Sequence, residues 1–273
     1  MKFKLIFIIF SVTLLFFIAF ITILPMVLFN YTFIGSLLNV NWPFLLILFL
    51  LLAGFSLFYF TNKRLFFLLE KEDWPELAHY LEDKVIRQGK YSPRLIRLLA
   101  NTYLVLSDAV AVMNLENKVA IAKPGIINTN ALVFGTARIL GGDISGAVRF
   151  FGTRVEAGKS GKREWIHWYY GFAMLLDRKY EESEKEFSVL ARLSKDAIIT
   201  GLSSYFLSDT LASLLPDNQK EIVEIASAGR ERVRKALPTP KDWGKEISRF
   251  SAEIHVATIM KYLKEAGAWI YSQ

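Results

Sequence analysis

No aspartate, glutamate, lysine, arginine or histidine occurs between Leu5 and Asn62. This uncharged run of 58 residues is too long for one bilayer crossing and about right for two joined by a short turn. The sequence predicts spans over residues 3–29 and 43–62. The first is "LIFIIFSVTLLFFIAFITILPMVLF", with Pro25 near its far end, where a kink costs least. Its length and the lack of a small-residue cleavage signal mark it as an anchor and not a removed leader. An uncharged turn, "NYTFIGSLLNVNW", leads to the second, "FLLILFLLLAGFSLFYF". Trp42 and Tyr59 suit the two interfaces. Lys2 and Lys4 precede the first span and Lys63 and Arg64 follow the second, so both flanks are expected on the cytoplasmic side. With no charge inside either span, an anchor is expected and an ion pathway is not.

All 26 acidic residues follow residue 62, together with 31 of the 33 basic ones. That remainder is only mildly basic and mixed in sign, which speaks against nucleic acid and allows weak attraction to anionic headgroups. The chain has no cysteine, which removes disulfides, thiolate metal sites and cysteine nucleophiles.

From residue 63 onward the apolar residues recur at helical spacing and period-two runs are absent. Asp73-Trp-Pro-Glu76 reads as a capping box, Ser92-Pro93 as a helix start, and Ser107-Asp108 and Gly142-Asp143 as further breaks. "GTARILGGDISGAVRFF" aligns with "GFAMLLDRKYEESEKEF" at an offset of 36, matching Gly135 with Gly171, Ile144 with Tyr180, Ala147 with Ser183 and Phe151 with Phe187. The small residues would let paired helices approach, with the aromatic ring filling the space beside them. Extending the register backwards places turns at Trp74, Ala109, Ile144 and Tyr180, spaced 35, 35 and 36. This pattern resembles the tetratricopeptide repeat, a helix-turn-helix unit of about 34 residues. The resemblance covers roughly residues 60–195. It implies an all-α chain: a transmembrane helical hairpin (1–62), tetratricopeptide-like repeats forming a solenoid (63–195), and degenerate helices capping it (196–273). In that register the second span continues out of the bilayer as the first repeat helix.

"EAGKSGKREW" invites a nucleotide reading. A phosphate loop, however, needs a glycine five residues before the Gly158-Lys159-Ser160 triplet, after a strand. Position 153 is Thr153, and the preceding segment falls on a repeat helix, so a Gly-rich turn between repeats is expected. His79, His167 and His255 stand alone without metal spacing, and each is read as a surface or groove residue. "EESEKEF" reads as a solvated helix face. No catalytic constellation is recognisable, so no enzyme activity and no cofactor are expected.

In tetratricopeptide arrays the first helix of each pair lines the ligand-facing groove. That resemblance nominates Arg94, Arg97 and Asn101, then Leu132 and Thr136, then Trp165, Trp168 and Phe172 as partner-binding residues. Arg97 and Asn101 match positions that clamp a peptide carboxylate in family members, while the later units depart from that clamp. Core packing is the alternative for the three aromatic residues. The basic stretch "GRERVRKALPTPK" reads as a solvated helix end or a headgroup patch. The final amphipathic helix has three uses open: capping the array, filling its groove, or self-association.

The expected function is a multi-pass inner-membrane scaffold. Residues 3–62 would contact lipid while the soluble domain recruits a protein partner at the cytoplasmic face. The alternative is a structural subunit of an envelope, flagellar or biosynthetic assembly that self-associates through its helices.

Overall fold

The computed structural model describes residues 2–28, 31–158, 163–250 and 253–272; of residues 2, 25–28 and 31–41 it describes the backbone alone. The described residues are helical or connecting, without a strand. Two compact units divide the chain at residues 80 and 81.

The first unit holds α1 (Lys2–Leu28) and α2 (Tyr31–Lys71), followed by the start of α3 (Trp74–Glu82). Phe3–Leu24 and Trp42–Lys71 are long and apolar enough to cross a membrane. At 1.5 Å per residue even the shorter covers about 33 Å, against a hydrocarbon core of about 30 Å. Aromatic contacts join the start of α1 to the later part of α2. Phe7 stacks on Tyr59 with centroids 4.0 Å apart, and Phe3 on Phe66 at 5.1 Å. The polar side chains in these helices turn inward on their own backbone. The Thr22 hydroxyl donates to Ile18 O at 2.8 Å, that of Thr61 to Leu57 O at 2.7 Å, and Asn62 Nδ2 to Phe58 O at 2.9 Å. Such bonds would satisfy these groups in a bilayer, where lipid offers no partner.

The expected turn before Trp42 is instead helical from Tyr31, with Pro43 inside α2. Proline removes only one ladder bond, and Gly35, Asn39 and Asn41 lower helix propensity by about 1 kcal/mol or less each without ending the helix. As the sequence predicted, α2 runs on past Lys63 and Arg64 to Lys71.

The second unit contains α4 (Pro93–Val105), α5 (Ala109–Ala122), α6 (Gly125–Thr129), α7 (Ala131–Leu140), α8 (Ile144–Ala157), α9 (Arg163–Leu176), α10 (Tyr180–Leu193) and α11 (Ala197–Phe206). A π turn (Leu207–Leu211), α12 (Ala212–Leu214), α13 (Gln219–Ala236), α14 (Pro240–Phe250), α15 (Ile254–Thr258) and α16 (Met260–Tyr271) complete it. The predicted turn positions 74, 109, 144 and 180 are the first residues of α3, α5, α8 and α10.

The cause of these breaks is one local motif used four times. Glu72, Ser107, Gly142 and Arg178 all have positive φ and lie 35, 35 and 36 residues apart. After each, the next N–H reaches five residues back: Asp73 to Leu68 O, Asp108 to Tyr103 O, Asp143 to Arg138 O and Lys179 to Met174 O, at 3.2, 2.8, 2.9 and 2.9 Å. This is the Schellman closure, which satisfies carbonyls left open at a helix end. Asp73, Asp108 and Asp143 then cap the following helix through Glu76, Ala111 and Gly146 N–H, at 3.3, 2.8 and 3.0 Å. A cap of this kind contributes about 1 kcal/mol. The reciprocal half of the capping box at Glu76 gives way to an ion pair with Arg64 at 2.6 Å.

Packing follows the same register. A Cβ at Gly135 would stand 2.1 Å from Phe151 Cζ, and one at Gly171 would stand 3.1 Å from Phe187 Cε1. Both rings are fully buried. The aligned glycines thus make room for the aligned phenylalanines in α7–α8 and α9–α10. In α4–α5 the corresponding residues are Ala100 and Glu116, and Glu116 pairs with Arg138 of α7 at 2.8 Å. The helices pack in chain order, α4 against α5 and α7, α7 against α8 and α9, α9 against α10 and α11, and α11 against α13.

The last three helices turn back: α15 packs on α7, α14 on α11, and α16 on α11 and α13. Trp243 fixes this return. A Cβ at Gly201 or Gly267 would lie 2.7 and 2.6 Å from its ring, and its Nε1 donates to Leu263 O at 3.1 Å. Basic residues on α13 finish two helix ends. The guanidiniums of Arg230 and Arg234 donate to Ile270 O at 2.9 and 2.6 Å, and both also donate to Ser272 O. Arg232 serves Ala191, Arg192 and Ser194 O at the end of α10, at 2.7, 2.6 and 2.7 Å. The stretch read as a solvated end or headgroup patch is therefore largely engaged as helix caps. Burial, with the nearby Arg234 cation, lowers the pKa of Arg230.

Candidate functional site

The face formed by α4, α7, α9 and α11 is where the sequence placed partner-binding residues. The structure divides it in two. Trp165, Trp168 and Phe172 fall on one side of α9 because they recur at helical spacing, and that side is sealed: they are 5%, 0% and 5% exposed. Trp165 packs against Phe250 and His255, and Phe172 against Tyr262, with centroids 6.4, 5.2 and 5.6 Å apart. The hydroxyl of Tyr169 donates to His255 O at 2.6 Å, and burial raises its pKa. His255, expected at the surface or in a groove, is itself buried, with Nε2 2.9 Å from Glu253 Oε2. An aromatic groove open to a partner is thus not what these residues form, because α14–α16 supply its occupant. Leu132 and Thr136 on α7 are also buried, at 8% and 2% exposure.

Arg94 and Arg97 are exposed on α4, and Asn101 is half-buried. Arg97 is spent internally: its Nε donates to Asn130 Oδ1 at 3.1 Å and its Nη2 to Thr129 O at 3.4 Å. The Asn101 Oδ1 is buried and meets no donor among the described residues. The two residues share a helix face but do not present a paired carboxylate clamp.

Two features lay outside the sequence reading. Val105, Leu140 and Leu176, each two residues before a left-handed turn residue, are 42%, 52% and 40% exposed. They end α4, α7 and α9, which pack side by side, so they form a row at interhelical spacings of about 8–10 Å. Their equal distance from the repeating turn was the signal available in the sequence. Second, a cleft of about 330 Å³ lies between the π turn Asp83–Arg87 and α5, lined by Ile86, Arg87, Asn114, Leu115 and Lys118. At its wall Tyr103 donates to Glu82 Oε1 at 2.7 Å. Burial and that carboxylate raise the Tyr103 pKa.

The Gly158 region supports a turn: Gly158 is left-handed and α8 precedes it, while residues 159–162 lie outside the described ones. Among the described residues no group of three or more His, Asp or Glu side chains is placed to hold a metal.

Residues 111–272 match a family described as "Uncharacterised Treponema protein". A protein of Treponema pallidum (strain Nichols), described as "Uncharacterized protein", is 30% identical over 234 residues, covering 84% of this chain and 74% of that one. The matched segment begins within α5 and takes in the α7–α8 and α9–α10 pairs and α14–α16, while α3 and α4 precede it.

Proposed function

The chain belongs to this family of Treponema proteins, and we propose that it is a membrane-anchored scaffold that holds a protein partner at the cytoplasmic face of the inner membrane. In this reading α1 and α2 both cross the bilayer. The helical pairs then form a short tetratricopeptide-like solenoid, and the work done is binding, not catalysis. The observation that carries it is the fourfold turn motif at 72, 107, 142 and 178. A repeated hairpin presents repeated surface, and Val105, Leu140 and Leu176 give that surface an apolar row. Apolar residues ordered by a register suit an apolar protein segment better than they suit solvent. Tethering beside the membrane raises the local concentration of whatever is bound.

The test is photo-crosslinking in cells from residues 140 and 176 of the full chain. One and the same protein captured at both sites supports the scaffold. Adducts with lipid or with the chain itself alone would refute it. Orientation has its own test, since the chain lacks cysteine. Ser227→Cys, at an exposed position of α13, should stay unreactive to an impermeant thiol reagent in cells whose inner membrane is intact.

One observation favours a second reading, a structural subunit. The aromatic part of the face that would serve as a groove is already covered by α14–α16. A stable high-order particle after mild detergent extraction would support that reading over the scaffold.

A further inference from the structure

The opposite edge of the second unit, where α5 ends and α4 begins, has a different chemistry. Lys123 Nζ donates to Tyr91 O at 3.3 Å, which joins the end of α5 to the loop before α4. Around this junction Arg87, Lys90, Arg94, Lys118 and Lys123 are all exposed. Nearby acids are engaged: Glu82 accepts from Tyr103 at 2.7 Å, Asp83 accepts from Gln88 at 2.7 Å and lies 3.8 Å from Arg87, and Glu116 pairs with Arg138 at 2.8 Å. Ile121, one turn from Lys118, is 88% exposed, the highest value for a large apolar side chain among the described residues.

We infer that this edge docks on an anionic bilayer surface, with Ile121 entering the headgroup region and the surrounding cations meeting lipid phosphates. Three arguments select lipid as the occupant. The cations outnumber the acids free to oppose them, so the patch complements a negative surface. A lone protruding isoleucine ringed by cations lacks the apolar area of a protein hot spot but suits insertion between headgroups. Finally, the same chain carries two helices apolar enough to cross a membrane, so a bilayer would be tethered to the chain at high effective concentration. The inference rests on the anchor reading and adds to it a second, charge-dependent contact.

The experiment uses full-length Ile121→Cys, which gives one thiol in an otherwise cysteine-free chain. It is labelled with an environment-sensitive fluorophore and reconstituted into nanodiscs of phosphatidylcholine alone or with phosphatidylglycerol. Co-elution with the discs reports the anchor. Quenching by a nitroxide-headgroup lipid reports the edge. Quenching should be strong with phosphatidylglycerol, weak without it, and should fall as salt rises. Lys118→Glu with Lys123→Glu should weaken the contact equilibrium by at least about fivefold per cation altered. A chain that elutes apart from the discs sinks the anchor reading and this inference with it. A chain in the discs whose label is silent, or is quenched equally in both lipids, overturns the inference alone. Protection of the label only after an acidic cytosolic protein is added would also overturn it, assigning the edge to protein.

Discussion

Replacing glycine by alanine in a helix ordinarily stabilises it by about 0.5–1 kcal/mol. The second unit should reverse that sign at a chosen position. Gly244 in α14 has open space where a Cβ would go, so Gly244→Ala should gain that amount. At Gly171 the added carbon meets Phe187 Cε1 at 3.1 Å and Glu186 Cβ at 3.3 Å, a contact the ring can relieve by a few tenths of an ångström. There propensity and crowding should nearly cancel. At Gly135 it would stand 2.1 Å from Phe151 Cζ, far inside van der Waals contact distance with a ring of 0% exposure. Overpacking costs about 1–3 kcal/mol and this overlap belongs at the upper end, leaving a net loss of about 2 kcal/mol after the propensity gain. The assay is denaturant unfolding of the full chain in mild detergent, followed by tryptophan fluorescence, because Trp165, Trp168 and Trp243 are buried in this unit. Phe151→Leu should destabilise the parent yet recover part of the loss in the Gly135→Ala background, giving a coupling of about 1 kcal/mol or more. A Gly135→Ala chain as stable as Gly244→Ala would refute the close α7–α8 approach and the register built on it.

Asp108→Ala and Asp143→Ala should each cost about 1 kcal/mol in the same unfolding assay, with asparagine restoring most of it. Arg230→Ala with Arg234→Ala removes the donors to Ile270 and Ser272 O; amide exchange in α16 should rise well before exchange in α9 does. Burial holds the Asp196 carboxyl above its ordinary range, against the two N–H groups it caps. A raised folded pKa means that its ionisation subtracts stability as pH climbs through the unfolded value near 3.9 towards the folded one. Asp196→Asn should therefore gain on the parent as pH rises from below that unfolded value, as measured by unfolding midpoints; a relative loss over that rise would contradict the assignment.

Turns were the most legible part of the chain because their causes are local. A left-handed residue followed by an aspartate cap needs only five or six residues to act, and Ser107-Asp108 and Gly142-Asp143 display it openly. The Arg178-Lys179 turn has neither glycine at its left-handed position nor aspartate at its cap position, yet the 36-residue alignment found it, since Gly171 and Phe187 preserve the packing. What the sequence concealed was long-range. The apolar arc of Ile247, Phe250, Ile254 and Leu263 showed that the last helices need cover, but helical period does not say which surface provides it. Gly201 and Gly267 lie 42 and 24 residues from Trp243 in opposite directions and have no mark of the indole they admit. Arg230, Arg232 and Arg234 looked solvated because their carbonyl partners lie 36–42 residues away.

That concealed packing also decides which surfaces are left for function. With α14–α16 over the aromatic side of α9, the contrast that remains is between the two edges of the array. Antiparallel pairs put every first-helix end on one edge and every second-helix end on the other. One edge offers Val105, Leu140 and Leu176; the other offers Ile121 among five exposed cations. If the edges act on different partners, their variants should separate. Leu140→Ser with Leu176→Ser should abolish crosslinking to protein from a photo-crosslinker at residue 105, the exposed third member of the row, and leave lipid quenching at residue 121 unchanged. Lys118→Glu with Lys123→Glu should do the reverse, apart from any loss that follows from detaching the domain from the bilayer. The four substituted side chains are all exposed, so beyond the loss of the Lys123 hydrogen bond to Tyr91 O global stability should move by less than about 0.5 kcal/mol. Both pairs abolishing both signals at unchanged stability would mean one continuous interface, and would end the division of labour between the edges.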